Sequence, residues 1–286
     1  MPITREKLET RLGPVGWQSS GQGPPLVFFA GALANGDLWR DVIAALEDRY
    51  RCIAIDMPLG AHQWPLADGA DRSPSSLARL MLDCLELLEL DDATVVVNDT
   101  AGGLLLLSLA SHHPALDRIG SLVLTNCESY DQFPPDALKK ATAASRRFPR
   151  LARAGLRLQG RSPRLRRKVV ASVAATALDD ERIESFFGPA TRDPRVAGDL
   201  IATTAGFRPE LLLEASKEIP HFQRPVLLVW GKSCEFFPLA HAERLAADFP
   251  DVTLVGVPGA KTWVPVDSPV ALADAILAFV PVPAQS

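Results

Sequence analysis

Histidine, tyrosine and cysteine are all scarce in this chain of 286 residues, which has 5, 2 and 4 of them. The cysteines, Cys52, Cys84, Cys127 and Cys234, are widely scattered without a C-x-x-C pair, which argues against a disulfide framework or a zinc site and leaves buried free thiols as the expectation. No metal and no cofactor is expected. Long apolar runs are missing too. Stretches such as Leu104 to Leu107 fall far short of the roughly 20 residues that a membrane helix needs, and the polar start MPITREKLET has no apolar signal core, so a cytoplasmic location is expected. Internal repeats and low-complexity tracts are absent. With 47% hydrophobic and 22% charged residues, neither disorder nor a collagen-like repeat fits, and the length suits one large domain or two small ones.

One absence is local. From Lys139 to Lys168 there is no Asp or Glu, while 12 Lys or Arg occur, so the net charge of -4 divides into a segment of +12 and a remainder of -16. Such a run reads either as a solvated face whose arginine stems lie over apolar surface or as an attractor for an anionic ligand, such as a carboxylated substrate or an acidic carrier. No recognition helix or aromatic stacking series accompanies it, so nucleic acid is not an expected partner. Nor is a membrane.

What is present alternates in a regular way. Leu26 to Phe29, Cys52 to Ile55, Thr94 to Val97 and Leu122 to Thr125 are unbroken apolar or β-branched stretches, the composition of strands covered on both faces. Ser73-Pro74 supplies an N-cap and a proline at the first helical position, and Leu77, Leu80, Met81, Cys84, Leu87 and Leu88 follow at helical spacing. After Asn126 the strand rhythm stops. From about Pro134 to Ile219 the chain reads as helical, with breaks near Pro149, Gly160, Pro163, Gly188 and Pro194. Strands resume at Pro225 to Trp230 and Val252 to Val257, and a last helix is expected from about Pro269 to Phe279. The pattern predicts an α/β fold whose mostly parallel central sheet has helices on both faces and is interrupted by a helical insertion.

The passage VVVNDTAGGLLLL, Val95 to Leu107, takes a buried strand into a helix through a turn of small residues, the setting of a nucleophile elbow. Together with FFAGALANGDLW at Phe28, DMPLGAH at Asp56, WGKSCEFFP at Trp230 and VPGAKTWVPVDSP at Val257, it resembles the α/β-hydrolase superfamily over nearly the whole chain. The similarity is to the branch with an acidic nucleophile, related to haloalkane dehalogenases and epoxide hydrolases. It implies an α/β-hydrolase fold with residues 1–127 and 220–286 as the core and 128–219 as a helical cap inserted after the sixth strand. It also implies Asp99 at the nucleophile position, with the N–H groups of Ala32 and Thr100 as the oxyanion hole; two amide donors at a helix N-terminus would favour a carboxylate there. Two other readings stay open: Thr100 as the exposed residue of the turn, and Asp99 as a plain helix cap.

The rest of the relay is degenerate by the same comparison. The histidine position falls on Thr262, which cannot accept a proton near neutral pH. The acid after W-G-x-x is Cys234. A second acid position used by some relatives, at the end of the sixth strand, holds Asn126, with Glu128 two residues on. His62 follows the second central strand on the catalytic side and is the one histidine with a conceivable site role, although similar loops use it structurally. Asn98, Tyr130 and Trp263 complete the auxiliary pocket candidates. Tyr50 and Tyr130 are the only tyrosines, which disfavours epoxide opening by a cap tyrosine pair, and Ala32 and Thr100 stand where dehalogenating relatives hold halide with Asn and Trp. Phe133, Phe186, Phe187 and Phe207 would either wall the pocket or form the small core of the cap.

Three functions are consistent with this pattern. The first is an enzyme on a hydrophobic small molecule, anionic or carrier-bound if the basic segment matters, doing non-hydrolytic acid–base chemistry of cyclase, lyase or isomerase type with Asp99. The second is a hydrolase in which Asp99 forms an ester that an unconventional base, His62 or Glu128, helps release. The third is a ligand-binding protein without turnover. Substrate identity and oligomeric state are not legible.

Overall fold

A computed structural model describes residues 5–281. Eight strands form one sheet: β1 (Glu6–Thr10), β2 (Gly13–Ser20), β3 (Pro25–Phe29), β4 (Arg51–Asp56), β5 (Ala93–Asp99), β6 (Ile119–Cys127), β7 (Val226–Gly231) and β8 (Val252–Val257). Their order is β1-β2-β4-β3-β5-β6-β7-β8, antiparallel through β2 and parallel from β4 onward. The six parallel strands include every stretch read from the apolar runs. The β1–β2 hairpin was not anticipated, because these strands lie at one edge and keep a polar, half-solvated surface, EKLET and GPVGWQSS, without an apolar run.

Alternation along each central strand sends side chains to two cores. Val27, Phe29, Ile53, Ile55, Val95 and Val97 face α2 (Pro74–Leu87), α3 (Thr100–Leu109) and α10 (Leu239–Asp248). Leu26, Phe28, Cys52, Ala54 and Val96 face α1 (Arg40–Leu46) and α12 (Pro269–Phe279), with the single turn α11 (Val264–Asp267) beside them. Helices therefore cover both faces, as a parallel sheet requires.

Between β6 and β7 the chain contains no strand. It runs through α4 (Lys139–Arg147), α5 (Pro149–Arg161), α6 (Pro163–Val173), α7 (Asp180–Arg192), α8 (Pro194–Ala205) and α9 (Pro209–Ala215). Pro149, Pro163, Pro194 and Pro209 each open a helix, where the missing N–H costs nothing. Gly160 lies near the end of α5. The expected break at Gly188 is absent: Gly188 and Pro189 lie inside α7, and a side chain at Gly188 would collide with those of Glu184 and Arg192. The insertion is fastened to the sheet layer by buried polar contacts. Arg182 donates to the carbonyls of Asp37 and Leu38 and to Asp41, and Asn35 Nδ2 donates to the Ser185 carbonyl at 3.1 Å.

Helix α3 presses so closely on β6 that a Cβ at Gly102 would overlap the Cβ and Sγ of Cys127. Gly102→Ala should therefore destabilise the fold by about 1–3 kcal/mol through overpacking, against a helix-propensity gain of at most about 1 kcal/mol. The check is a lowered midpoint in urea unfolding with an unchanged slope.

Candidate active site at the β5–α3 turn

Strand β5 ends at Asp99 with φ 54° and ψ −134°, a conformation that L-residues rarely hold. The turn leaves Asp99 partly accessible between buried Asn98 and buried Thr100, so of the two registers open in the sequence the structure presents Asp99. The amides of Ala32 and Thr100 lie against its carboxylate and favour its charged form. Gly31 makes this approach possible: a Cβ there would lie 2.5 Å from Asp99 Oδ2 and 2.7 Å from the Thr100 nitrogen. The loop carrying Gly31 and Ala32 is held by Leu33, which takes a left-handed φ of 57° and donates its N–H to the Leu59 carbonyl at 2.9 Å. Burial raises the Asp99 carboxyl to about 6 even though the two amides act to lower it.

The strand next door brings a second carboxyl to the same place. β5 and β6 pair Asn98 with Thr125 and then Asp99 with Cys127, so Asn126 is an extra residue in the ladder. That slip turns Asn126 toward β7, where its amide donates to the carbonyls of Gly231 and Phe237, each at 3.2 Å, and its oxygen accepts from Gly231 N–H at 2.7 Å. Glu128, just past the strand, reaches the elbow instead. It is 1% exposed. Its Oε1 accepts from Thr100 Oγ1 at 3.0 Å, and Oε2 has no partner. Burial first, and the charge of Asp99 second, push the Glu128 carboxyl well above the usual range, which favours its protonated form. Around the pair, Phe133 and Leu212 approach from the insertion: a Cβ at Gly103 would touch both at 3.5 Å.

Cys234 and Thr262, which the resemblance sets at the relay's acid and histidine positions, also meet. Cys234 Sγ and Thr262 Oγ1 are 3.1 Å apart, both buried, and Sγ accepts the Phe237 N–H at 3.3 Å. Burial raises the Cys234 thiol, so neither side chain offers a base near neutral pH. Asn98 Nδ2 ties this turn to β5 and β6 by donating to the Thr262 carbonyl at 2.7 Å and to Thr125 Oγ1 at 2.8 Å, leaving its own Oδ1 without a partner.

The remaining candidates lie elsewhere. His62 has both ring nitrogens engaged: Nδ1 accepts from Gly60 N–H at 3.2 Å, which places the proton on Nε2, 3.1 Å from Asp199 Oδ2 on α8. With Leu66 N–H and Arg72 also bonded to Asp199, His62 is a fastening between sheet layer and insertion and has no free nitrogen to act as a base. The Tyr130 hydroxyl donates to Asp248 on α10 at 2.6 Å, with the Arg244 guanidinium 3.6 Å over its ring, so it faces away from the elbow pair. Trp263 is buried edge-on against Phe186, 5.3 Å between centroids. Phe133 stacks on Phe207 at 4.1 Å; with Phe187 also buried, these aromatics are packed interior. No histidine among the described residues hydrogen-bonds Asp99 or Glu128. Nor do those residues contain a cluster of three His, Cys, Asp or Glu side chains disposed to hold a metal ion. A cleft of 480 Å³ lies on the seam of Asn35, Asp37 and Arg182, not at the elbow. Glu128 was a sequence candidate, but its link through Thr100 was not, since it depends on the extra residue in β6.

A family model described as alpha/beta hydrolase fold matches residues 24–269. Haloalkane dehalogenase 2 of Mycobacterium tuberculosis is 28% identical over 290 residues, 96% of this chain and 94% of its own. The uncharacterized hydrolase YugF of Bacillus subtilis is 25% identical over 261 residues, 89% of each. Among solved structures, an alpha/beta hydrolase fold protein from Burkholderia ambifaria superposes with a TM-score of 0.78 at 21% identity, covering 96% of this chain and 97% of that one. The haloalkane dehalogenase DbeA from Bradyrhizobium elkani gives 0.76 at 16% identity with the same coverage.

Asp99 makes stability depend on pH in a definite direction. Its folded value of about 6 lies above the ordinary 3.8, so its contribution is fully present below about pH 4 and is lost as pH rises through about 6. Asp99→Asn, neutral throughout, should melt several degrees above the unsubstituted protein at about pH 8 and level with it near pH 4. Calorimetric melts at the two pH values check this.

Proposed function

The chain belongs to the alpha/beta hydrolase fold family, and from that premise we propose that it is an enzyme acting on a hydrophobic small molecule by non-hydrolytic acid–base chemistry, of isomerase, lyase or cyclase type, with Asp99 as the base and Glu128 as the acid. The observation that carries this reading is the pairing of two carboxyls across Thr100, one lifted to about 6 and the other well above its ordinary range, beside a relay position occupied by Thr262 and Cys234.

Two neighbouring carboxyls that cannot both ionise share one proton. At neutral pH the ionised member is Asp99 and the protonated one Glu128. Asp99 takes a proton from an acidic carbon of the substrate, and Glu128, whose Oε1 is already occupied by the Thr100 hydroxyl, gives its proton from Oε2 to the atom that gains electron density. The proton on Asp99 then passes back to Glu128, so the pair returns to its starting state. Phe133 and Leu212, packed beside Glu128, keep water from that side of the pair. Thr262 and Cys234 supply no base to activate water, so an ester on Asp99 would have no efficient exit.

A hydrolytic second reading is supported by the likeness to a protein named haloalkane dehalogenase 2. Labelled solvents separate the readings. The acid–base reading expects turnover in deuterium oxide to place deuterium on a substrate carbon, and turnover in oxygen-18 water to label neither product nor Asp99; oxygen-18 in the Asp99 peptide would overturn it. Ligand binding without either label would assign the pocket to a non-catalytic protein.

Two further outcomes follow from the pair. Asp99→Asn should lower kcat/KM by roughly 100- to 10,000-fold, the usual worth of a positioned base. The unsubstituted enzyme should gain kcat/KM as pH rises through about 6, with Asp99 ionised, and lose it again at the higher pH at which Glu128 gives up its proton. Glu128→Gln should keep the acidic limb and lose the alkaline one, measured as kcat/KM against pH.

A further inference from the structure

Helix α5 is turned inside out with respect to polarity. Toward the interior it presents Arg153, lying along Gly198 of α8, Arg157, which donates to the Thr191 carbonyl, and Gly160, with Leu156 as its one large apolar contact. Toward solvent it presents Leu151 and Leu158, 70% and 66% exposed and seven residues apart, therefore on one face. Exposed Ala154 lies between them. Phe148, just before the helix, is 58% exposed, and Leu165 on α6 is 44% exposed.

Exposed bases surround this stripe. Arg147, Arg150, Arg161 and Arg164 have no carboxylate partner among the described residues, whereas Arg166 and Arg167 on the next helix are bonded to Glu184 and Asp180. Apolar side chains projecting from a helix edged with unpaired arginines are the pattern of a surface that lies in the headgroup region of a bilayer, the apolar groups entering and the guanidinium heads meeting phosphates.

We propose that the α4–α6 face docks on an anionic lipid bilayer. Charge selects this occupant over a second copy of the chain, since a symmetric contact would set the +12 segment against itself. Shape selects it over an acidic protein: Phe148, Leu151 and Leu158 line none of the four described clefts and stand out from the helix instead of framing a groove. The remainder of the chain, at −16, is repelled by the same surface, so the molecule approaches insertion first. The lack of a spanning segment in the sequence argues only against crossing a bilayer, and no helix among the described residues is long and apolar enough to cross one; lying on the surface requires none. The inference is independent of the chemistry at Asp99.

Sedimentation with phosphatidylcholine vesicles, with and without about 30% phosphatidylglycerol, tests it. The full chain should partition roughly tenfold more strongly to the anionic vesicles and release in about 0.5 M salt. Leu151→Glu with Leu158→Glu should lower that partition roughly tenfold, and Arg150→Glu with Arg161→Glu should remove the preference for the anionic lipid, with melting temperatures unchanged because all four side chains are exposed. Val270→Glu, equally exposed on α12, should bind as the unsubstituted chain does. Equal binding to both vesicle types, no binding to either, or indifference to the leucine substitutions would overturn the proposal. So would a dimer abolished by the same substitutions without vesicle binding, or binding to soluble polyglutamate alone.

Discussion

The crowding of backbone at the Asp99 turn is the constraint from which the site follows. A positive φ at a non-glycine residue costs on the order of 1–3 kcal/mol, and the surroundings hold it there: Gly31 lets the oxyanion loop close on the carboxylate, and Gly102 lets α3 settle on Cys127. The close approach also removes the water that would otherwise stabilise the charge, so the same geometry that aims the carboxylate raises its affinity for a proton. Position and protonation state thus have one cause.

A second layer keeps that arrangement in place. Buried charges are tolerable only when paired and hydrogen-bonded, and the joints between insertion and sheet layer meet that condition. Asp199 collects His62, Arg72 and the Leu66 amide, which together hold its carboxyl below the usual range despite burial. Arg182 fills its donors on two carbonyls and Asp41. Helices α7 and α8 are therefore fixed to the sheet layer at two separated points, while Phe133, stacked on Phe207, packs beside Glu128.

Much of this was legible in the sequence, and what was not had specific reasons. Central strands such as Val95 to Val97 announce themselves because both faces are buried, which forces an unbroken apolar run. The β1–β2 hairpin, half solvated at the edge, carries no such mark. Asp99 could be found from its turn because local chain geometry dictates the small residues after it. The Glu128 approach could not, since one extra residue in β6 decides whether Asn126 or Glu128 faces the elbow, and a ladder slip leaves no trace in composition. His62 could be placed on the right edge of the sheet, but its partner Asp199 is 137 positions away in the chain. Gly188 reads as a breaker in isolation, yet packing of Glu184 and Arg192 over it keeps α7 continuous.

The amides of Ala32 and Thr100 face the carboxylate of Asp99. In acyl transfer, such a pair of amides is the seat for the negative oxygen of a tetrahedral adduct. Here the protein's own carboxylate lies against these amides, and a side chain at Gly31 would collide with it. Under the proposed acid–base role, an ester or amide brought to Asp99 would find no vacant place for the charge that carbonyl addition creates. In that role, occupancy of the anion seat by Asp99 weighs against acyl compounds as substrates, without any need for a selective pocket wall.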